Sequence, residues 1–290
     1  MNKMKLPYFL VLPAMFLLFM LVIFPTIYLF YTSVHEADWT TGYGIGKFVG
    51  LKNYYDLMKN PDFLGILKRT FLFVLMTVGM GFFVALGAAL TLNSITKGER
   101  ILLTVFLLPW MTSGVVSSVM WSWIYNDLYG VLNDLLVRMN LISQPISWLG
   151  NASTALFACT VVDIWALTPF GILILTAGLK SIPGPLYEAA KVDGAGTLLC
   201  FRYITLPLLI PSILMVILIR TIFAIRAFDI FYVLTGGGPG KSTTVAGLAI
   251  YNYAWKMLKF GRASAFSVII IFITLAIAWI YIKMSNVRFK

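Results

Sequence analysis

The chain has 290 residues, of which 60% are hydrophobic and only 11% are charged. Charged side chains this sparse cannot cover the surface of a water-soluble protein of this length, so the composition excludes a soluble globular domain and indicates a membrane protein. The formal net charge of +11 suits basic loops beside a membrane better than a nucleic-acid site, because nucleic-acid binding requires a soluble basic patch and the sequence contains none.

Six hydrophobic runs are long enough to cross a bilayer, for which about 20 mostly apolar residues suffice. The first run follows Lys3 and Lys5, as the core of a signal peptide would. It is too long for that role and no small-residue cleavage site follows it, so it is predicted to remain as a span. Together the runs predict an all-α polytopic membrane protein in which residues 1–290 form a single transmembrane domain. The predicted spans cover about residues 6–31, 71–95, 101–125, 154–179, 204–225 and 263–282.

Several of these runs contain prolines, which remove a backbone hydrogen bond and kink a helix. Lipid offers no replacement partner for the freed carbonyl groups, so these positions are expected inside a helix bundle. Gly79, Gly81 and Gly87 in the second run predict a face on which another helix packs closely. The prolines are Pro13, Pro25, Pro109, Pro169, Pro207 and Pro211.

Six spans place both termini on the same side of the membrane. Lys and Arg residues are divided evenly between the two sides, but on the side of the termini they are concentrated in shorter loops and tails. Dense basic residues beside short loops are typical of the cytoplasmic side. Both termini are therefore predicted to lie in the cytoplasm, and the loops 32–70, 126–153 and 227–262 outside it.

The sequence contains few residues that could hold a metal or a cofactor. Its single histidine, His35, ends the first run and is predicted to be solvated or interfacial. Cys159 lies in an apolar run and Cys200 in a short basic loop, and the two form no CxxC motif. We therefore expect no metal, haem or other cofactor in this chain.

The loop between the fourth and fifth runs, residues 181–203, is the most informative segment. Pro185 suits the start of a helix, and the residues that follow it can form two helical turns. Gly194 and Gly196 permit a sharp turn, after which a second helical stretch begins at Thr197. The loop therefore predicts a short helix, a glycine turn and another helix on the cytoplasmic face. The alternative is an ordinary loop with a surface helix.

Starting at Glu188, this loop carries the pattern Glu-Ala-Ala, three residues, Gly, nine residues, Ile, one residue, Leu-Pro. With this spacing the loop resembles the EAA loop that marks the permease subunits of binding-protein-dependent ABC importers. The resemblance implies the type I permease fold. It also implies that the short helix docks in a cleft of a cytoplasmic ATPase and transmits ATP-driven motion into the membrane. The residues to which this coupling is assigned are Glu188, Ala189, Ala190, Asp193 and Gly194.

Three further segments resemble the MalF-like sugar permeases, so that the resemblance covers nearly the whole chain. They are Phe-Val-Gly-Leu-Lys-Asn-Tyr at 48–54, Leu-Thr-Gly-Gly-Gly-Pro-Gly at 234–240 and Phe-Gly-Arg-Ala-Ser-Ala at 260–265. They favour a sugar over an amino acid, a peptide or a metal as the solute. One departure is Lys-Arg-Thr at 68–70, where many relatives carry an Asn-Thr pair.

Two ionisable residues lie inside predicted spans, where they are costly and usually face the bundle interior or a wet cavity. They are Asp163 in the fourth span and Arg220 in the fifth. Each shares a helix face with a phenylalanine seven or three residues further on. In the alternative interpretation, Asp163 and Arg220 pair with each other and only hold the two spans together; both can be true. The MalF-like resemblance implies that the mid-membrane sugar site is lined by Asp163, Phe170, Arg220 and Phe223.

No catalytic constellation is evident, so the chain is not expected to be an enzyme. The segment 236–242 ends in Gly-Lys-Ser like a phosphate-binding loop, but that motif needs a glycine where Thr235 stands. Pro239 also lies within the segment, which is predicted to face away from the cytoplasm. ATP and its Mg²⁺ are therefore expected to bind to a separate ATPase subunit.

The resemblance also implies an assembly in the inner membrane of a bacterium or an archaeon. It comprises this chain, a second permease subunit as heterodimer partner, two ATPase subunits and an extracytoplasmic sugar-binding protein. Trp39, Trp148 and Trp255 are candidate contacts for the binding protein, or belong to an interfacial aromatic belt. The alternatives are a permease for an amino acid or a peptide, and an ion-coupled secondary transporter, whose inverted repeats are not evident here.

Overall fold

The computed structural model describes residues 6–42, 44–95 and 97–287. The basic residues of the termini, at 1–5 and 288–290, on which part of the orientation prediction rests, lie outside the described residues. The α-helices are α1 Leu6–Leu18, α2 Phe24–Ser33, α3 Lys52–Met58, α4 Phe63–Ser94, α5 Glu99–Leu107, α6 Gly114–Ile124, α7 Val131–Arg138, α8 Ala155–Lys180, α9 Gly184–Val192, α10 Thr197–Cys200, α11 Leu206–Ile225, α12 Asp229–Leu234, α13 Ala246–Tyr251 and α14 Phe260–Val287.

Shorter helical turns of other types join some of these helices. Three are π-helical and two are 3₁₀-helical within the described ranges. They are the π-helical turns Phe19–Ile23, Phe201–Thr205 and Asn252–Lys256 and the 3₁₀ turns Trp39–Thr41 and Pro109–Met111.

The helices confirm an all-α membrane protein. Five of them, counted across π-helical turns, are long and apolar enough to cross a bilayer, and a sixth crossing results if a sharply bent pair counts as one broken span. Several spans begin before the hydrophobic run does, because polar residues at their starts are also helical. The continuous spans are Val11–Ser33, Phe63–Ser94, Ala155–Lys180, Thr197–Ile225 and Phe260–Met284.

The third run, predicted as a single span over 101–125, is broken in the middle. Its two parts, Glu99–Met111 and Gly114–Ile124, are bent by 95°. Pro109 begins the 3₁₀ turn that ends the first part, and the two residues after that turn have extended backbone at Thr112 and Ser113. Pro109 cannot donate a backbone hydrogen bond to the preceding turn and its ring crowds that turn's carbonyl, which disfavours continuation of the helix at this point.

Five other prolines leave their spans continuous, and two of these follow a π-helical turn. The five are Pro13, Pro25, Pro169, Pro207 and Pro211. The π-helical turn Phe19–Ile23 lies just before Pro25, and the turn Phe201–Thr205 lies just before Pro207. In a regular helix the carbonyl four residues before a proline loses its partner and is crowded by the ring. Here that carbonyl lies within the wider turn, which relieves the crowding. Both helices therefore pass the proline without a break.

The chain divides into two compact units. The first contains the residues up to Gly65 and Ala249–Leu275, and the second contains Ile66–Leu248 and the residues from Ala276.

In the first unit, the side chain of Asn53 links the end of α2 to α3. Its Nδ2 donates to the carbonyl oxygens of Ser33 and His35 at 2.9 Å each.

Gly261 in the first unit leaves room for this amide, because a Cβ there would lie 2.9 Å from Asn53 Nδ2. The neighbouring Arg262 forms an ion pair with Asp56, with 2.9 Å between Nη2 and Oδ2. The segments 48–54 and 260–265, which the sequence shows as separate motifs, therefore belong to one contact.

His35 in the same unit is half-buried, as an interfacial residue would be. Its ring stacks on Tyr31 with 3.9 Å between ring centroids and meets Phe48 edge-on. Its Nδ1 lies 2.7 Å from the carbonyl oxygen of Tyr31.

Among the described residues, no group of three or more His, Cys, Asp or Glu side chains is placed to hold a metal ion.

The second unit has its apolar core between α4, α8 and α11. Small residues let the helices approach: a Cβ on Gly171 would lie 3.1 Å from that of Ala85, and one on Gly178 would collide with Ser212. The core is completed by the buried residues Ala89, Leu92, Ile172, Leu175, Leu179, Ile182, Leu209 and Val216.

We expect the Asn53→Ala variant to unfold at a lower temperature than the wild type. The substitution leaves two carbonyl groups at the end of α2 without their donor, and an unsatisfied buried polar group costs about 1–3 kcal/mol. The measurement is the thermal unfolding midpoint of the purified chain in detergent. Asn93→Ala, at an exposed position of α4, is the control and should leave the midpoint unchanged. Equal midpoints for the two variants would contradict the anchoring role of Asn53.

Candidate functional site

A charge pair lies buried between three helices of the second unit. Arg220 of α11 is 2% exposed and Asp163 of α8 is 3% exposed. Arg220 Nη2 lies 3.8 Å from Asp163 Oδ2. Thr77 of α4 connects them, since its hydroxyl donates to the Asp163 carboxylate and accepts from Arg220 Nη2 at 3.2 Å. Asp163 and Arg220 thus pair in the structure, as one of the two interpretations of the sequence predicted.

Two further hydrogen bonds join the guanidinium to α4 and α8. Nη2 donates to the carbonyl oxygen of Thr77 at 3.0 Å, and Nη1 donates to the hydroxyl of Thr168 at 3.2 Å. Nε is buried without a partner in the described structure. A charge without water requires such partners, because desolvating an ion costs several kcal/mol.

Gly81 of α4 makes room for the guanidinium. A Cβ at this position would lie 2.5 Å from Cζ of Arg220, which no side chain can accept. The close approach predicted for the three glycines of this helix holds here, whereas Gly79 and Gly87 face open space in the described structure. Gly81 is therefore required by the arginine rather than by a neighbouring backbone.

A cavity of about 390 Å³ lies beside the charge pair. Asp163 and Phe223 line it, while Arg220 lies behind Asp163 and does not. Phe223 is 52% exposed. The wall is completed by Trp110, Thr112, Gly114, Ala166, Leu167, Arg226, Ala227, Phe228, Asp229 and Ile230.

Phe170, the fourth residue predicted for this site, reaches the cavity through an intermediary. Its ring stacks on Trp110 with 5.6 Å between centroids and 28° between planes. Two predicted residues thus line the cavity, and the other two support residues that do. Sequence reasoning missed Thr77 and Trp110, and it assigned Gly81 to helix packing without identifying Arg220 as its neighbour. For Trp110 a signal exists, since it follows the proline that interrupts the third run.

The 181–203 loop has the predicted form of a helix, a turn and a second helix. Helix α9 has Pro185 in its first turn. It ends at Val192, and Gly194, two residues further on, has a φ of +80°. The amide of Ala195 donates to the carbonyl oxygen of Ala190 at 2.8 Å and that of Gly194 to Lys191 at 3.0 Å, which is the Schellman pattern. Gly196 has a φ of −74°, so only the first of the two glycines needs to be glycine.

One side of α9 and the turn after it are exposed, and Tyr187 attaches the other side to α11. Of the residues assigned to coupling, Glu188, Ala189, Asp193 and Gly194 are exposed and Ala190 is half-buried. Tyr187 points the other way, where it packs on the core and its hydroxyl lies 2.9 Å from Thr205 Oγ1. This contact fixes the helix to the start of α11, which carries Arg220 and Phe223.

The glycine-rich segment 234–240 forms a turn closed by hydroxyl groups. Thr243 donates to the carbonyl oxygen of Gly238 at 2.9 Å, and Thr244 to that of Gly237 at 3.1 Å.

The start of α4 holds the chain that follows this turn. Arg69 Nε donates to the carbonyl oxygen of Thr244 at 3.1 Å, and the hydroxyl of Thr70 accepts from the amide of Ala246 at 2.9 Å. Within the Lys-Arg-Thr sequence at 68–70, Arg69 and Thr70 thus have a structural role.

The three tryptophans proposed as contacts for a binding protein differ in their surroundings. Trp148 is anchored within its own loop, where Nε1 donates to Asn133 Oδ1 at 2.9 Å. Trp39 and Trp255 are exposed and both lie against Phe260. The two exposed residues are therefore better candidates for a contact than Trp148.

The chain is similar to known proteins in sequence and in fold. A family model described as "Binding-protein-dependent transport system inner membrane component" matches residues 78–282. The chain is 37% identical over 287 residues to the trehalose/maltose transport system permease protein MalF of Thermococcus litoralis, covering 99% of this chain and 96% of that protein. It is 35% identical over 276 residues to the sulfoquinovosyl glycerol transport system permease protein SmoG of Agrobacterium fabrum, covering 95% and 89%.

Its fold is similar to a chain in the crystal structure of a bacterial ABC transporter involved in the import of the acidic polysaccharide alginate. The TM-score is 0.85 at 23% identity, and the match covers 98% of this chain and 96% of that one.

We expect Asp163→Asn alone to destabilise the chain more than Asp163→Asn combined with Arg220→Gln. The single change leaves a buried guanidinium without its counter-charge, and breaking a buried pair costs about 3–5 kcal/mol. The double change removes both charges. The measurement is the thermal midpoint and the fraction of monodisperse protein in detergent.

The control for this comparison is Asp134→Asn, in the exposed pair with Arg138 on α7. It should cost no more than about 1 kcal/mol, because surface pairs contribute little. A double variant as unstable as the single one would show that the pair is not the reason for the burial of Arg220.

Proposed function

Because the chain belongs to the family of binding-protein-dependent transport system inner membrane components, we propose that it is one of two membrane-spanning subunits of an ABC importer that carries a sugar. It is a multi-pass inner-membrane protein and not an enzyme. The observation that carries the proposal is the continuous connection from exposed α9 through Tyr187 to α11, which lines the cavity beside Asp163. Movement of α9 is thereby transmitted to the cavity wall.

The solute is a sugar or a sugar derivative. Relatives that share more than a third of their residues with this chain are permeases for trehalose and maltose and for sulfoquinovosyl glycerol. All three solutes carry hydroxyl groups around a ring. The carboxylate of Asp163 and the ring of Phe223 offer the two kinds of contact such a solute needs. Arg220 holds the carboxylate in place, and Phe170 supports Trp110 in the same wall.

The chain acts with other subunits. A second permease completes the pathway, two ATPase subunits bind ATP and Mg²⁺ and supply the energy, and an extracytoplasmic binding protein delivers the sugar. Within the described part of the chain, Glu188 and Asp193 are exposed beside the left-handed Gly194, as expected of residues that contact an ATPase. Both termini and the 181–203 loop then lie in the cytoplasm.

This arrangement decides between the alternatives raised by the sequence. An ion-coupled secondary transporter has no need of a binding protein, on which this family depends. A permease for an amino acid or a peptide would belong to the same family, but the sugar permeases among the relatives favour a sugar.

We expect Gly194→Leu to abolish the stimulation of ATP hydrolysis by the sugar-loaded binding protein. A side chain at a φ of +80° is strained by roughly 1–2 kcal/mol, so the turn after α9 changes shape. The measurement is the ATPase activity of the reconstituted complex with and without the loaded binding protein.

Gly196→Leu is the matched control for this variant, because its φ is −74° and an added Cβ meets nothing within 4 Å. It should insert and assemble like Gly194→Leu and keep the stimulation. Wild-type stimulation in Gly194→Leu would refute the role of the turn in coupling.

We expect the purified complex to contain one copy of this chain, one copy of a different permease and two ATPase copies. The chain has one exposed helix of this kind in its described part, and two ATPase subunits need two such helices. Native mass spectrometry of the complex measures the stoichiometry. A transport-competent complex with two copies of this chain and no second permease would contradict the predicted heterodimer.

A further inference from the structure

Trp110 is the one aromatic residue that the broken third span contributes to the wall of the described cavity. Its side chain is 47% exposed. Phe170 of α8 stacks on its ring. One face of the indole is therefore covered by Phe170, and the ring borders the cavity. An indole in this setting offers a flat apolar surface to a ligand.

Two charged side chains of the same wall are free to bind a ligand. Arg226 follows α11 and Asp229 begins α12, and both are exposed. Within the described part of the chain, neither side chain makes a hydrogen bond or an ion pair. Gly114 lies against Asp229, because a Cβ there would come within 3.1 Å of Oδ2. The absence of a side chain at 114 thus lets the carboxylate sit at the start of α6.

The charges of the wall balance. Asp163 is neutralised by Arg220 behind it, and Asp229 lies in the same wall as Arg226. A cavity without net charge gives no advantage to an anionic solute. An aromatic face combined with hydrogen-bonding charged groups suits a ring that is apolar on its faces and carries hydroxyl groups at its edge.

The volume describes the part of the site that this chain provides. At about 390 Å³, the cavity is within the roughly 300–1,000 Å³ found for small-molecule sites. It has room for one or two sugar rings, and the second permease completes the pathway around them.

We propose that Trp110, Arg226 and Asp229 form a saccharide subsite in which one ring stacks on Trp110 and its hydroxyl groups bind to the two charged side chains. This subsite binds one or two rings of the solute and selects an uncharged saccharide. The inference rests on the proposed function and adds to it the residues that determine specificity. None of the three belongs to the set that the sequence predicts, namely Asp163, Phe170, Arg220 and Phe223.

The test uses the complete importer with its binding protein in proteoliposomes. The probes are radiolabelled maltose and trehalose, with maltobionate as the anionic counterpart of maltose. Uptake and ATP hydrolysis are measured together. Trp110→Ala should lower uptake of the neutral probe about tenfold, which corresponds to about 1.4 kcal/mol of lost binding. Stimulation of ATP hydrolysis by the loaded binding protein should persist, because that step depends on docking.

Conservative variants separate contact with the sugar from a structural role. Trp110→Phe keeps an aromatic face and should restore most of the uptake. Asp229→Asn should transport better than Asp229→Leu, since the amide still accepts from a hydroxyl group. Trp123→Ala is the control, because Trp123 is an exposed tryptophan of α6 that does not line the cavity. It should transport like the wild type.

The outcomes distinguish the subsite from the proposed function. If the wild type takes up a neutral sugar and Trp110→Ala takes it up equally well, the subsite is overturned and the proposed function is not. The same holds if uptake by Trp110→Phe is no higher than uptake by Trp110→Ala. Wild-type uptake of maltobionate in preference to maltose and trehalose overturns the selection of uncharged saccharides. A wild-type importer that carries an amino acid or a peptide and no sugar overturns both the proposed function and the subsite.

Discussion

The guanidinium of Arg220 lies among apolar helices with almost no access to water. An ion in such a place must be met by a counter-charge and by hydrogen-bond acceptors, since its desolvation costs several kcal/mol. Asp163 provides the charge, and Thr77 and Thr168 provide the acceptors. Because these residues belong to α4, α8 and α11, their contacts with one side chain fix the three helices at a common depth. The cavity beside Asp163 has its shape because this arrangement holds.

The other walls of the cavity come from places where helices are interrupted. Trp110 and Thr112 come from the break at Pro109, and Arg226 to Asp229 join α11 to α12. In a membrane, irregular backbone is tolerated where it is buried in protein or lines a cavity, because lipid cannot satisfy its polar groups. The interruptions therefore do more than end helices. They bring polar and aromatic side chains to a depth at which continuous helices present mainly apolar ones.

Helix α11 connects this cavity with the exposed loop that precedes it. Its start is attached to α9 through Tyr187 and Thr205, and its far end carries Phe223 into the cavity wall. The π-helical turn before Pro207 keeps the helix continuous over this distance. Under the proposed function, a movement of α9 reaches the cavity wall through this helix. Gly194, in the turn after α9, has a φ of +80°, which strains any side chain placed there.

The sequence by itself predicts six hydrophobic runs long enough to cross a membrane and the helix–turn–helix of the 181–203 loop. It also identifies Asp163 and Arg220 as ionisable residues inside apolar spans. Hydropathy, glycine and proline signals and a charge in an apolar run are local properties of the chain, so they can be read without a fold. The 95° break of the third run was indicated only by Pro109, because a proline can kink a span or end it. Gly81, Thr77 and Trp110 acquire their roles from partners far away in the chain. Thr77 and Arg220 are 143 residues apart, and no pattern near either residue identifies the other. The tertiary structure alone decided which residues surround the buried arginine and which line the cavity, because those choices depend on how the helices pack.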